Sequence, residues 1–95
     1  MTAKKILLVD DEAPLRGALA EQLELHDEFT TTQAGSGAEA LEIAKSDHFD
    51  LLLLDVGLGD LDGREVCKML RKAGVKCPII MLTAADSDAD TILGL

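Results

Sequence analysis

The chain has 95 residues, enough for one domain, and at this size folding buries somewhat over ~60% of the surface that the unfolded chain exposes. A hydrophobic fraction of 47% excludes a disordered chain, and a net charge of −9 argues against a nucleic-acid contact surface, which needs a basic stripe. No apolar run approaches the ~20 residues of a membrane span, and the four apolar residues between Lys5 and Asp10 are too few for a signal peptide. A cytoplasmic protein is therefore expected. Cys67 and Cys77, ten residues apart with no further Cys or His at metal-ligand spacing, read as reduced, partly buried thiols.

In chain order, Lys5 to Asp10 is a continuous apolar run, as in a strand covered on both faces. Pro14 to Leu25 turns helical: Leu15, Leu19 and Leu23 form a stripe with Ala18, and Pro14 suits a first helical turn. Glu28 to Ala34, rich in Thr and Phe, predicts a more polar strand at a sheet edge. Ser36-Gly37-Ala38-Glu39 has capping-box spacing and opens a second helix carrying Ala40, Leu41 and Ala44. Asp50 to Asp55 predicts a buried strand, and Gly57, Gly59, Asp60, Asp62 and Gly63 mark the turn after it. A third helix follows with Val66, Met69 and Leu70 inward, Arg64, Lys68 and Arg71 outward, and Gly74 as its stop. Pro78 to Leu82 predicts a fourth strand, and a fourth helix is expected after Thr83. Strands alternating with helices imply an α/β protein with a parallel sheet between helix layers.

In such a sheet, ligands bind outside the carboxyl ends of the strands. Asp10 and Asp11 close the first strand and Asp55 closes the third. Any one of them alone also fits a helix cap or turn. If the first and third strands are neighbours, the three acids share one crevice. Two such charges ~4 Å apart repel by about 4 kcal/mol at an effective dielectric of 20, so the cluster needs a cation or an elevated pKa. A hard divalent ion such as Mg²⁺, bound by one or two carboxylates, waters and a phosphate, meets that need. Thr83 adds a hydroxyl at the end of the fourth strand, beside the small Ala84.

The runs Ile6-Leu7-Leu8-Val9-Asp10-Asp11-Glu12, Asp50-Leu51-Leu52-Leu53-Leu54-Asp55-Val56, Asp62-Gly63 and Pro78-Ile79-Ile80-Met81-Leu82-Thr83-Ala84 together resemble the receiver domains of two-component response regulators. The resemblance covers residues 1–95. It implies a flavodoxin-like doubly wound parallel sheet in the order 2-1-3-4. It also implies that Asp55 takes a phosphoryl group from a phosphohistidine on a sensor histidine kinase or phosphotransfer protein. Asp11, Asp55 and the Gly57 backbone carbonyl would hold Mg²⁺ directly, with Asp10 acting through water. Thr83 would hydrogen-bond the phosphoryl group and switch the surface near the fourth helix. An output domain, in this family often transcriptional, is expected outside this chain.

Two departures from the family pattern stand out. Gly59 occupies the place of a usual Pro, four residues after Asp55, which predicts a looser loop. The fifth strand with its Lys-Pro pair and aromatic residue, and the fifth helix, are missing from these 95 residues. An incomplete receiver is therefore expected, with an exposed fourth-strand edge prone to self-association. Two other functions compete with the phosphoacceptor reading. One is a dimerisation or scaffold module without phosphotransfer. The other is an aspartyl-phosphate phosphohydrolase, which Gly57 disfavours by standing where a second acid would be needed.

Overall fold

The computed structural model describes residues 3–82. Seven elements follow in order: β1 (Lys4–Val9), α1 (Ala13–Glu24), β2 (Phe29–Ala34), α2 (Gly37–Ser46), β3 (Leu51–Asp55), α3 (Gly63–Lys72) and β4 (Ile79–Leu82). The four strands form one parallel sheet in the order β2-β1-β3-β4, as expected, with the polar β2 at one edge. Thr83 and the anticipated fourth helix lie outside the described residues.

Strand alternation divides the core in two. Leu7 and Val9 of β1, Leu52 and Leu54 of β3, and Ile79 and Met81 of β4 face α2 and α3, where Ala40, Ala44, Val66 and Leu70 close over them. On the opposite face, Ile6 and Leu8 meet Ala20 of α1, with Leu19, Leu23, Leu51 and Leu53 only partly buried. The α1 stripe is thus shallower than its spacing suggests. Ala20 is its one buried residue, while Ala18 is exposed and Leu15 is 49% exposed at the start of the helix.

A second correction concerns α3. Met69, expected inward, is 41% exposed. The buried positions are Gly63, Val66 and Leu70. At ~100° per residue, Met69 lies roughly 90° from the centre of the face that they define. Gly74 stops the helix as predicted, with a φ of 98°. The N–H of Val75 bonds the Leu70 carbonyl and that of Gly74 the Arg71 carbonyl, the Schellman pattern that a left-handed residue at this position permits.

Register brings the chemistry to one end. The Lys5 N–H donates to Asp50 Oδ2 at 2.8 Å and the Asp50 N–H to the Lys5 carbonyl at 2.8 Å, tying the entries of β1 and β3 together. Val9 then pairs with Leu54, so Asp10, the first residue after β1, and Asp55, the last residue of β3, emerge side by side.

Candidate functional site

Asp10 is 7% exposed, the one buried charged residue among those described. Its place is fixed through both backbone and side chain. The Asp10 N–H donates to the Ala34 carbonyl at 3.1 Å, continuing the β1–β2 ladder, and Asp10 Oδ1 accepts from the Glu12 N–H at 2.9 Å. Arg16, one turn into α1, donates from Nη1 to the Asp10 carbonyl at 2.7 Å and from Nε to Gln33 Oε1 at 3.0 Å. The guanidinium therefore braces the turn that presents Asp10 and Asp11.

Asp55 is half-buried at the end of β3, and its Oδ1 accepts from the Gly57 N–H at 3.2 Å. The following turn presses on the Asp55 backbone. A side chain at Gly63 would bring its Cβ within 2.5 Å of the Asp55 carbonyl oxygen and 2.7 Å of Val56 Cα, so only glycine fits there. This is the physical basis of the Asp62-Gly63 pair singled out in the sequence. Asp62 caps α3 by accepting from the Arg64 N–H at 2.8 Å, and the Gly63 N–H donates to the Val56 carbonyl at 2.9 Å.

One carboxylate oxygen each from Asp10, Asp11 and Asp55 lie within 4.8 Å of one another. The three predicted acids are therefore brought together, and no other group of potential metal ligands forms among the described residues. Burial pushes the Asp55 carboxyl above its ordinary range, the Gly57 N–H pulls it back, and the charges of Asp10 and Asp11 raise it further. Three hard oxygen donors in mutual repulsion fit a divalent cation of the Mg²⁺ type. Gly57 is exposed at the edge of this pocket, in the loop between β3 and α3. Thr83, the remaining predicted residue, lies outside the described residues.

Three residues have partners that the sequence did not reveal. Arg16 carries no signal of its own, being a lone Arg in a first helical turn. Gly37 is crowded: a Cβ there would lie 2.7 Å from Val66 Cγ2 and 3.0 Å from Leu61 Cδ1, so α2 begins flush against α3 and the loop. Asp60 reads from sequence as a turn residue, yet its two oxygens accept from the Gly37 and Ala38 N–H groups at 2.9 and 3.1 Å. The capping box is also modified. Ser36 Oγ accepts from the Glu39 N–H at 3.1 Å, but Glu39 Oε1 turns to the Gly35 N–H at 2.7 Å.

Comparison with known proteins agrees with this geometry. The family described as the response regulator receiver domain matches residues 6–95. The chain is 47% identical over 92 residues to the alkaline phosphatase synthesis transcriptional regulatory protein PhoP of Bacillus subtilis, covering 97% of this chain and 38% of that protein. It is 44% identical over 91 residues to the response regulator MprA of Mycobacterium ulcerans, covering 96% of this chain and 39% of that protein. The chain thus spans about two-fifths of the length of these curated relatives. Among solved structures, the receiver domain of the Francisella response regulator 1452 superposes with a TM-score of 0.84 at 32% identity, over 96% of this chain and 74% of that one. The response regulator protein TrrA of Thermotoga maritima, solved in complex with Mg²⁺-BeF, superposes with a TM-score of 0.80 at 37% identity, over 87% and 71%.

Proposed function

The chain belongs to the response regulator receiver family, and from that premise we propose that Asp55 is its phosphoacceptor and that Asp10 and Asp11 complete an Mg²⁺ pocket around it. The observation that carries this reading is the convergence of the three carboxylates within 4.8 Å at the carboxyl end of the sheet. The donor chemistry fits the ion: Asp11, Asp55 and the Gly57 carbonyl would hold Mg²⁺, with Asp10 assisting through water. When bound, Mg²⁺ supplies positive charge against the transferring phosphoryl group.

The chain's own residues do the rest. An ionised Asp55 oxygen attacks the phosphorus of a phosphohistidine on a sensor histidine kinase or phosphotransfer protein. The O–P bond forms, the N–P bond breaks and the departing imidazole nitrogen takes a proton. The Gly57 N–H orients the Asp55 carboxylate, and Arg16 holds the turn bearing Asp10. Thr83, assigned from the sequence alone, donates its hydroxyl to the phosphoryl group and starts the switch. Phosphorylation thereby biases a two-state surface that an output domain reads, in keeping with the regulator names of the relatives. On this reading the chain is a cytoplasmic phosphoacceptor that promotes its own phosphorylation and dephosphorylation rather than an enzyme turning over an external substrate. No helix among the described residues is long and apolar enough to cross a membrane.

Phosphoramidate, whose N–P bond stands in for phosphohistidine, tests the reading by phosphorus NMR. An acyl-phosphate resonance should appear with Mg²⁺ and be absent from Asp55→Asn. The same resonance in the variant, or none in a folded wild-type chain, would overturn it.

A further inference from the structure

We propose that Asp60 is a positioning residue of the acidic pocket: its carboxylate fastens the loop between β3 and α3 to the first turn of α2, and so fixes where that loop presents Gly57. The inference rests on the metal-dependent phosphoacceptor reading and names a residue that this reading does not require.

The loop runs from Val56 to Asp62 and is held at its ends by backbone bonds, Val56 N–H to the Leu82 carbonyl at 2.9 Å and Gly63 N–H to the Val56 carbonyl at 2.9 Å. Between these ends it contains Gly57 and Gly59, which restrict backbone motion least. A Cβ at Gly57 would meet nothing within 4 Å, so packing does not confine that residue. Leu58, 8% exposed, is the loop's buried apolar anchor, and Val56 and Leu61 near its ends are partly buried against the same core. Asp60 gives the loop a polar anchor, engaging two N–H groups at once.

The N–H groups of a helix's first turn have no partner within the helix, and the helix dipole favours an anion beside them. In α2 the labour is divided. Ser36, the local cap, satisfies Glu39, and Asp60 from 22 and 23 residues away satisfies Ala38 and Gly37. These bonds hold the Asp60 carboxyl below its ordinary range, so it stays ionised at neutral pH. The helix end it grips is packed closely on α3, where a Cβ at Gly37 would lie 2.7 Å from Val66 Cγ2. The loop's other flank borders the pocket: a Cβ at Gly59 would lie 3.5 Å from Asp11 Oδ2. Asp60 therefore joins a helix end packed on α3 to a glycine-bearing segment lying against a predicted metal ligand.

The test measures Mg²⁺ affinity directly by isothermal titration calorimetry on the wild-type chain and on Asp60→Ala, Asp60→Asn and Ser36→Ala, with thermal melting of each. Asp60→Ala should weaken Mg²⁺ binding about tenfold, the low end of what losing an outer-shell partner costs. Excess Mg²⁺ should restore most of its phosphorylation rate. Asp60→Asn, which keeps one acceptor oxygen, should fall between it and wild type and serves alone if Asp60→Ala does not fold. Ser36→Ala removes a cap of the same helix without touching the loop, and should lower the melting temperature while leaving Mg²⁺ affinity unchanged. Wild-type affinity in both Asp60 variants, or equal weakening by Ser36→Ala, would overturn the proposal. A wild-type chain that binds no Mg²⁺ would instead overturn the underlying phosphoacceptor reading, and this proposal with it.

Discussion

An ionised Asp55 faces two further carboxylates at no more than 4.8 Å, where each pair of full charges repels by about 1 kcal/mol in water and about 3.5 kcal/mol at an effective dielectric of 20. The sign of the resulting pH effect is definite. Burial, and then Asp10 and Asp11, raise the folded-state pKa of Asp55 above its ordinary value. The folded state therefore holds the Asp55 proton more tightly than the unfolded state does. The destabilisation is complete above the raised pKa and vanishes as pH falls through it to the ordinary value. Asp55→Asn should melt higher than wild type near neutral pH, by no more than about 1 kcal/mol once solvent screening is allowed for. Thermal melts from neutral to acid pH should show the gap closing; a gap that widened would contradict the electrostatic assignment. Gly63 makes a steric prediction at the same scale. Gly63→Ala forces a Cβ toward the Asp55 carbonyl oxygen at 2.5 Å and should cost about 1–3 kcal/mol, as overpacking does, while weakening phosphorylation through the displaced Asp55 backbone. Denaturant unfolding beside phosphorylation rates checks both. At this scale the acids were legible because they follow apolar runs directly in sequence. Asp60 and Arg16 were not, since their partners are set by loop and helix trajectories rather than by spacing.

For the elements, the sequence located each described strand to within a residue, because β1, β3 and β4 are apolar along most of their length while the helices alternate, and β2 shows instead through its Thr-rich composition. What it could not rank was depth. In α3, Leu70 is fully buried and its neighbour Met69 is 41% exposed. Leu70→Ala should cost about 2–5 kcal/mol, as core truncations do, and Met69→Ala well under 1 kcal/mol; chemical denaturation separates them, and equal losses would contradict the α3 orientation. In α1, Leu15, Leu19 and Leu23 keep the spacing of a core stripe, yet only Ala20 is buried. Here the sheet beneath the helix decides: α1 covers Ile6 and Leu8, while Leu51 and Leu53 on the same face remain half-buried. A periodic stripe reports which way a helix faces but not how much of the sheet it reaches.

At the scale of the whole sheet, the described residues form two unequal cores. Among the described residues, thirteen buried ones pack on the α2–α3 face and three on the α1 face. With β4 at the end of the described sheet and half-buried apolar side chains on the thinner face, self-association is the expected behaviour of this chain in isolation. Sedimentation at increasing concentration should show it, and a concentration-independent monomer would count against it. The acidic pocket acts at this scale too. A cation bound only by the folded state stabilises it by RT ln(1 + [L]/Kd), about 2.7 kcal/mol at a hundredfold excess over Kd. Mg²⁺ should therefore raise the melting temperature of wild type, and of Asp55→Asn much less. The measurement closest to the central claim is intact mass after incubation with Mg²⁺ and acetyl phosphate, followed by hydroxylamine, which cleaves acyl phosphates. The account predicts one phosphoryl adduct on the wild-type chain, removed by hydroxylamine and absent from both Asp55→Asn and a chelated control. An adduct that persists in Asp55→Asn, or a folded wild-type chain that never gains one, would contradict it.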